Sequence, residues 1–412
     1  MKYNKLQQEA IDSKAPKVLV VAPAGSGKTA SLVGAIKKYA EENPDAKIVA
    51  ITFTKKAALE LQSRLFGLKV ECATIHSWSL KELNRLGAKH KFRVSILQDN
   101  QIQEILKDLS RKCGYYSINM FMLFSYIMGN YNIDVTPGTK MKFEKVMRAY
   151  IAYKRENKLY DFTDLPQYLY DMLEKFNDHI EHIDGLFVDE FQDVDDIQER
   201  IFRAVDADKY FYIGDPRQSI YLFRGATPDV LRKLDDFEQY ELLINYRSYQ
   251  AIIDYADSAC KLDRQLSRVS TIHDSKVRCA RDDEDGSVFI VDEDGIGYDV
   301  VNQTYCDNTY DLLSMFLLKK PYILCRSNKQ VKAIESMGYR NVSTVHQAKG
   351  LEYNNVIVLD MELTTEEEVN IAYVACTRAQ NGLMICDENI FNNMFENIII
   401  EHRDELIGGK LF

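Results

Sequence analysis

Nine short apolar runs, most of them separated by helical patterns, leave this chain few folds to choose from. They are Val18–Val21, Ile48–Thr52, Leu186–Val188, Tyr210–Ile213, Val288–Val291, Tyr322–Cys325, Val342–Val345, Val356–Leu359 and Leu383–Cys386. Runs this short and continuous read as strands covered on both faces, so an α/β fold with parallel sheets is expected. A chain of 412 residues can bury two cores, and a second α/β domain is expected from near Tyr246. Between Leu80 and Ile180 the pattern changes. Ile102, Ile105, Leu106 and Leu109 share one helical face, with Asp99 placed to cap it. Met141–Tyr153 and Leu165–Phe176 also read as helices, and no strand is expected there. That stretch is read as an all-helical insertion in the first domain. Arg281–Gly286 is read as an exposed acidic turn.

Two of the strands lead into chemistry. Val18–Val21 opens into Ala22-Pro23-Ala24-Gly25-Ser26-Gly27-Lys28-Thr29 and then a helical run. Strand, glycine loop and helix in that order let backbone N–H groups wrap phosphates, and the helix N-terminus adds partial positive charge. Lys28 can then neutralise β- and γ-phosphates, and Thr29 can ligate magnesium. Leu186–Val188 runs straight into Asp189-Glu190-Phe191-Gln192-Asp193. Carboxylates at the carboxyl end of a parallel strand emerge where α/β folds bind ligands. Asp189 is placed to hold magnesium, and Glu190 to polarise a water for attack on a phosphate. The two segments together describe a nucleoside triphosphatase.

Composition narrows the partners. Lys+Arg 52 against Asp+Glu 62 gives a net charge of −10. Nucleic acid would therefore be held by a local groove with stacking faces and not by bulk charge. Eight cysteines show no CxxC pairing and no His/Cys ligand spacing, so reduced core thiols are expected. No apolar run approaches a membrane span and the amino end is polar, which leads to the expectation of a cytoplasmic protein with no membrane partner.

Further segments, in order along the chain, resemble the motifs of superfamily 1 helicases of the UvrD/Rep type. Asn4-Lys5-Leu6-Gln7-Gln8-Glu9-Ala10 is similar to the segment that reads adenine. Ile51–Ala58 and Thr74-Ile75-His76-Ser77 resemble motifs for single-stranded DNA, and Asp189–Asp193 with Gln198 resembles the DE-x-QD box. Gly214-Asp215-Pro216-Arg217-Gln218-Ser219-Ile220-Tyr221 followed by Phe223-Arg224-Gly225-Ala226 resembles the segment joining ATP to DNA. Asn245-Tyr246-Arg247-Ser248, His346–Glu352 and Tyr373–Ala379 complete the series, and Tyr160–Leu165 resembles the family pattern inside the insertion.

The resemblance implies two RecA-like P-loop domains with one helical insertion (1B) in the first. The expected boundaries are 1–89 and 183–244 for the first domain (1A), 90–182 for the insertion, 245–395 for the second domain (2A) and 396–412 for a C-terminal tail. Gln7 and Tyr246 would meet adenine, Glu352 the ribose, and Ala24, Gly25, Ser26, Gly27, Lys28 and Thr29 the phosphates. Gln218 would report the γ-phosphate, which Arg247 and Arg378 would reach from the second domain on closure. Single-stranded DNA is expected on Thr52, Phe53, His76, Tyr221, Phe223, Arg224, Thr344 and His346. Three departures stand out. Ala30 follows the P-loop threonine where the family often has arginine, and Phe223 stands where tryptophan is usual. The long insertion of the second domain (2B) is missing, because Val342 follows Asn328 by only 14 positions.

The implied activity is an ATP- and Mg2+-dependent, 3′-to-5′ translocase and helicase. It would act on single-stranded DNA and its junctions with duplex, as a monomer working beside replication or repair proteins. An alternative is an ATP-switched DNA-binding factor that displaces proteins and unwinds little. DNA-stimulated ATPase without strand separation would favour it. A third reading, an RNA-directed ATPase, is separated by comparing stimulation by RNA and by DNA. The tail Lys410-Leu411-Phe412 is faintly similar to a clamp-binding peptide and lacks its glutamine.

Overall fold

A computed structural model of the chain describes residues 2–128, 136–220, 230–231, 234–260, 278–279, 286–306, 308–361 and 363–406. Tyr221, Phe223, Arg224, the acidic stretch 281–285 and the tail 407–412 lie outside the described residues. The first sheet is built from β1 (Lys17–Val21), β2 (Ile48–Thr52), β3 (Val70–Thr74), β4 (Ile183–Val188), β5 (Ala207–Gly214) and β6 (Glu238–Glu241). Their spatial order is β3-β2-β4-β5-β1-β6 and every pairing is parallel. Alternate residues serve two cores. Leu19, Val21, Val49, Ile51, Leu186 and Val188 pack on one face, and Val18, Val20, Ile48, Ala50 and Phe187 on the other. Because the strands are parallel, the segments following β1, β2, β3, β4 and β5 all emerge on one edge.

A two-stranded pair, β7 (Ile244–Asn245) with β8 (Arg278–Cys279), lies between the sheets in chain order. The second sheet comprises β9 (Ser287–Val291), β10 (Gly297–Asp299), β11 (Thr304–Tyr305), β12 (Tyr322–Cys325), β13 (Val342–Thr344), β14 (Tyr353–Leu359) and β15 (Ala379–Cys386). Its order is β11-β10-β9-β15-β14-β12-β13. The second sheet is mixed: its central pairings are parallel, as expected of the α/β fold, while β9, β10 and β11 pair antiparallel at one margin. The reason is local: the Asp292–Ile296 turn, with Gly295 at φ 77°, is too short for a crossover and can join only antiparallel neighbours. The connection from β12 to β13 holds a single short helix, Asn328–Ser336. Both sheets carry helices, giving the two RecA-like α/β domains that the resemblance implies.

Residues 91–182, as far as described, contain only helices. Asp99–Lys112, Met120–Ile127 and Pro137–Asn157 form a small core of their own from Ile102, Leu106, Leu123, Phe143 and Val146. Gln98, not Asp99, is the cap of the first of these helices; its capping box with Gln101 leaves Asp99 in the first turn. Leu165–Phe176 instead joins the first domain's core through Leu165, Leu169 and Leu173. Val345 does not extend β13. Thr344 accepts a hydrogen bond from Gln347 N and so starts a helix, Val345–Ala348. No helix of the described residues is long and apolar enough to cross a membrane.

Candidate nucleotide cleft and nucleic-acid interface

The phosphate loop follows β1. Gly25 and Gly27 have φ of 75° and 84°, the left-handed region that glycine enters without cost. Gly27 stands at the cap of the helix Lys28–Glu42 and no side chain caps that helix, so its first N–H groups face the loop. Ser26 Oγ donates to Pro23 O at 2.7 Å, which fixes the loop's curvature. Gln7, in the helix Lys5–Asp12, donates from Nε2 to Ser26 O at 3.1 Å. Asn4 Nδ2 donates to the Tyr246 hydroxyl at 2.7 Å. The expected adenine readers Gln7 and Tyr246 are therefore gathered at one side of the loop.

Asp189 and Glu190 close β4 and stand across from this loop. Lys28 Nζ lies 3.5 Å from Glu190 Oε2, which also accepts from Gln192 Nε2 at 2.6 Å. Gln192 Oε1 accepts from Asp215 N at 2.9 Å, locking the segment after β4 to the one after β5. A Cβ on Gly214 would sit 2.6 Å from that oxygen, so the contact requires glycine. The two carboxyls titrate apart. Burial and the charge of Glu190 push Asp189 up to about 7. Burial would raise Glu190 too, but Lys28, Lys349, the Gln192 hydrogen bond and Arg378 together hold it down to about 2. Glu190 adopts φ 50°, a strained backbone for a non-glycine residue. A buried, charge-crowded carboxyl beside a second carboxylate fits a divalent cation, which would be held by Asp189 and Thr29.

The second domain supplies the opposite wall. Arg247 donates from Nε to Glu352 Oε2 at 2.7 Å and from Nη1 to Thr377 O at 3.2 Å. Arg378, 1% exposed, donates to Val374 O, Leu351 O and Thr377 Oγ1 at 2.9, 3.0 and 3.3 Å. Burial and the neighbouring Arg247 lower its pKa to about 9, so it remains a cation at neutral pH. Among the described residues no carboxylate hydrogen-bonds its guanidinium. Lys28, Thr29, Glu190, Gln218, Arg247, Glu352 and Arg378 line one cavity of about 390 Å3. Arg64, at the end of the helix Lys55–Arg64, lines it as well and was not anticipated from the sequence. Its signal was only a helix-terminal arginine. Ala30 lines the same wall.

The walls are tied together behind the cavity. Lys349 Nζ reaches Asp193 Oδ2 at 2.6 Å and Gln218 O at 2.8 Å, and Asn370 Nδ2 donates to Ser219 O at 3.0 Å. Gln218 Nε2 donates to Asp215 Oδ2 at 2.7 Å. Ala24 and Ile220 of the first domain pack within the second domain's core beside Val345, Tyr373 and Leu383.

A family model for the UvrD/REP helicase N-terminal domain matches residues 3–239, and one for the UvrD-like helicase C-terminal domain matches residues 341–386. The chain belongs to the UvrD/REP helicase family. A probable DNA helicase of Mycoplasma pneumoniae is 26% identical over 465 aligned positions, covering 95% of this chain and 85% of that protein. A probable DNA helicase II homolog of Mycoplasma capricolum is 28% identical over 59% of this chain and 39% of its own length. The ATP-dependent DNA helicase Rep of Buchnera aphidicola is 28% identical over 81% of this chain and 53% of its own length. The chain thus spans about half or less of two of these three relatives.

The residues this UvrD/REP family member was expected to turn toward DNA are distributed unevenly. Thr52 is buried and donates from Oγ1 to Thr54 O at 3.1 Å, while Phe53 next to it is half-buried. Thr344 and His346 are buried in the second domain. Burial and the nearby Arg326 push His346 down to about 4, so it is neutral, and a backbone hydrogen bond ties it to Ile220. As they stand, both are largely shielded from solvent. His76 is more accessible and stacks on Phe162, with ring centroids 5.5 Å apart and planes at 14°. Phe162, within the family-like segment Tyr160–Leu165, is 53% exposed and was not named as a DNA contact. Its turn is rigid, because Lys154 Nζ reaches Asp161 and Asp164 at 2.7 and 2.6 Å and the Tyr150 hydroxyl donates to Asp161 at 2.9 Å.

Proposed function

We propose that the protein is an ATP- and magnesium-dependent DNA helicase that moves 3′ to 5′ on single-stranded DNA. The observation carrying this reading is the cleft itself. A phosphate-loop lysine faces a strand-end glutamate, and two arginines of the other domain line the same cavity. Lys28 binds phosphate, and Glu190 takes a proton from the attacking water. Arg247 and Arg378 offset charge on the transferring phosphoryl group once the domains close. Magnesium, when held by Asp189 and Thr29, adds charge neutralisation at the β- and γ-oxygens. Gln218 lies one turn from the segment that continues to Tyr221, which gives nucleotide state a short covalent route to DNA grip. The helicase names of the relatives support DNA as the substrate.

The test is ATP turnover with and without single-stranded DNA, together with unwinding of 3′- and 5′-tailed duplexes. Turnover stimulated by DNA and strand separation from 3′ tails alone are expected. Unwinding only from 5′ tails would overturn the polarity. Stimulation without any unwinding would favour an ATP-switched, protein-displacing factor, a reading that the single short helix between β12 and β13 makes concrete.

The His76–Phe162 stack includes a DNA-motif residue and leaves Phe162 exposed, and base stacking suits a motor that must accept any sequence. Phe162→Ala is expected to weaken single-strand binding by about 1–3 kcal/mol, roughly 5- to 150-fold. The DNA concentration giving half-maximal ATPase stimulation reads this directly. An unchanged value would remove Phe162 from the DNA path.

A further inference from the structure

Arg217 sits in the short turn Pro216–Gln218 that follows β5, immediately before the γ-phosphate reporter. Its backbone N–H donates to Asp215 Oδ1 at 3.1 Å, the same carboxylate that accepts from Gln218 Nε2. Its side chain does not enter the cavity. It crosses to the second domain, where Nη1 donates to Asp257 Oδ1 at 2.5 Å and Nη2 to the Tyr373 hydroxyl at 2.8 Å. The guanidinium carbon lies 4.1 Å from the Tyr373 ring centroid. The pair is largely sheltered, at 18% and 27% side-chain exposure, so solvent screens it less than a surface bridge. A guanidinium held over an aromatic ring while making two directed hydrogen bonds is a geometry arginine supplies and lysine does not.

Tyr373 lies in the last turns of the helix Glu366–Cys376. Its carbonyl accepts from Thr377 N at 3.0 Å and Thr377 Oγ1 at 2.8 Å, and that hydroxyl oxygen accepts from Arg378 Nη2 at 3.3 Å. Direct contacts therefore run from Gln218 through Arg217, Tyr373 and Thr377 to Arg378. We infer that Arg217 is a positioning residue: with Asp257 and Tyr373 it forms a latch between the domains that sets Arg378 against the cleft and links it to the turn carrying Gln218. This rests on the ATPase reading of the cleft and names a residue that acts through Arg378 and not on the nucleotide.

Five proteins are compared: the parent, Arg217→Ala, Arg217→Lys, Asp257→Asn and the Arg217→Ala/Asp257→Asn double variant. Arg217→Ala is expected to lower DNA-stimulated kcat about 10-fold, within the 5- to 150-fold span of ordinary site-to-site coupling, with KM for ATP within about twofold. Arg217→Lys should recover part of the loss, and Asp257→Asn should reproduce part of it. Adding Asp257→Asn to Arg217→Ala should cost nothing more, because one contact is lost once. Hydrogen exchange of the helix Glu366–Cys376 in nucleotide-free protein gives a readout independent of turnover, and Arg217→Ala should speed it. Equal kcat and equal exchange in parent and Arg217→Ala would overturn the latch, as would a loss confined to KM. A parent without ATPase activity would sink the ATPase reading instead, and the exchange data would still decide whether the latch exists.

Discussion

Arg378→Ala is expected to lower DNA-stimulated ATP turnover by about 10³–10⁵-fold, the range of an arginine finger in phosphoryl transfer. The size follows from where the side chain stands. Arg378 is a buried cation whose hydrogen-bond partners are two carbonyls and a hydroxyl. Glu190 and Glu352 offset its charge at a distance, while Arg247 opposes it. Such a group gains most from an anion that arrives beside it, and the γ-phosphate is that anion in the proposed cycle. Arg378→Lys keeps the charge and loses the fork, so it should fall between parent and alanine variant. Circular dichroism on each variant separates lost chemistry from a damaged helix end. Turnover within tenfold of the parent in folded Arg378→Ala would refute the role.

Glu190→Gln should reduce hydrolysis by about 10²–10⁴-fold and leave nucleotide binding intact. The ion pair at 3.5 Å suggests how the proposed base would be kept idle before nucleotide binds. Without nucleotide, Lys28 and its neighbours hold Glu190 ionised but weakly basic, near 2. In the proposed cycle Lys28 turns to phosphate, so Glu190 would lose its nearest counter-charge and its affinity for a proton would rise as the water arrives. The amide keeps the shape but cannot take the proton. It also frees Lys28 from the pair, so nucleotide should bind at least as tightly as to the parent. Fluorescent-nucleotide titration alongside turnover reads both halves. Wild-type hydrolysis by Glu190→Gln would assign the base elsewhere.

What could be read in the chain beforehand was whatever lay in one contiguous segment. Ile48–Thr52, Tyr322–Cys325 and Leu165–Phe176 have in the structure the bounds read from their apolar patterns. The phosphate loop and the Asp189–Asp193 box were legible for the same reason, since each motif carries its own strand. Edge strands were not. Val70–Thr74 is covered only in part and includes Glu71, and Glu238–Glu241 is polar at three of four positions, so neither shows the apolar run that buried strands need. Contacts made across the chain were also silent. Arg217 meets partners 40 and 156 positions away, and Phe162 meets His76 from a separate segment. Periodicity reports a residue's own element; it carries nothing about which distant side chain will face it.

The phosphate loop has one more property, visible in its packing. Tyr246 N donates to Gly25 O and Asn245 Nδ2 to Ala24 O, both at 2.8 Å, while Ala24 is packed into the second domain's core. A Cβ on Gly25 would lie 2.7 Å from Asn245 Oδ1 and 2.8 Å from Arg247 Cβ, so linker and loop are in contact with no slack between them. In the proposed cycle the loop would act as a bearing for the second domain. Any rotation of that domain would then be felt by the peptide groups proposed to cradle phosphate, through these backbone contacts. The mechanical stroke and the loosening of product would then be one displacement, starting in the backbone of the binding site itself.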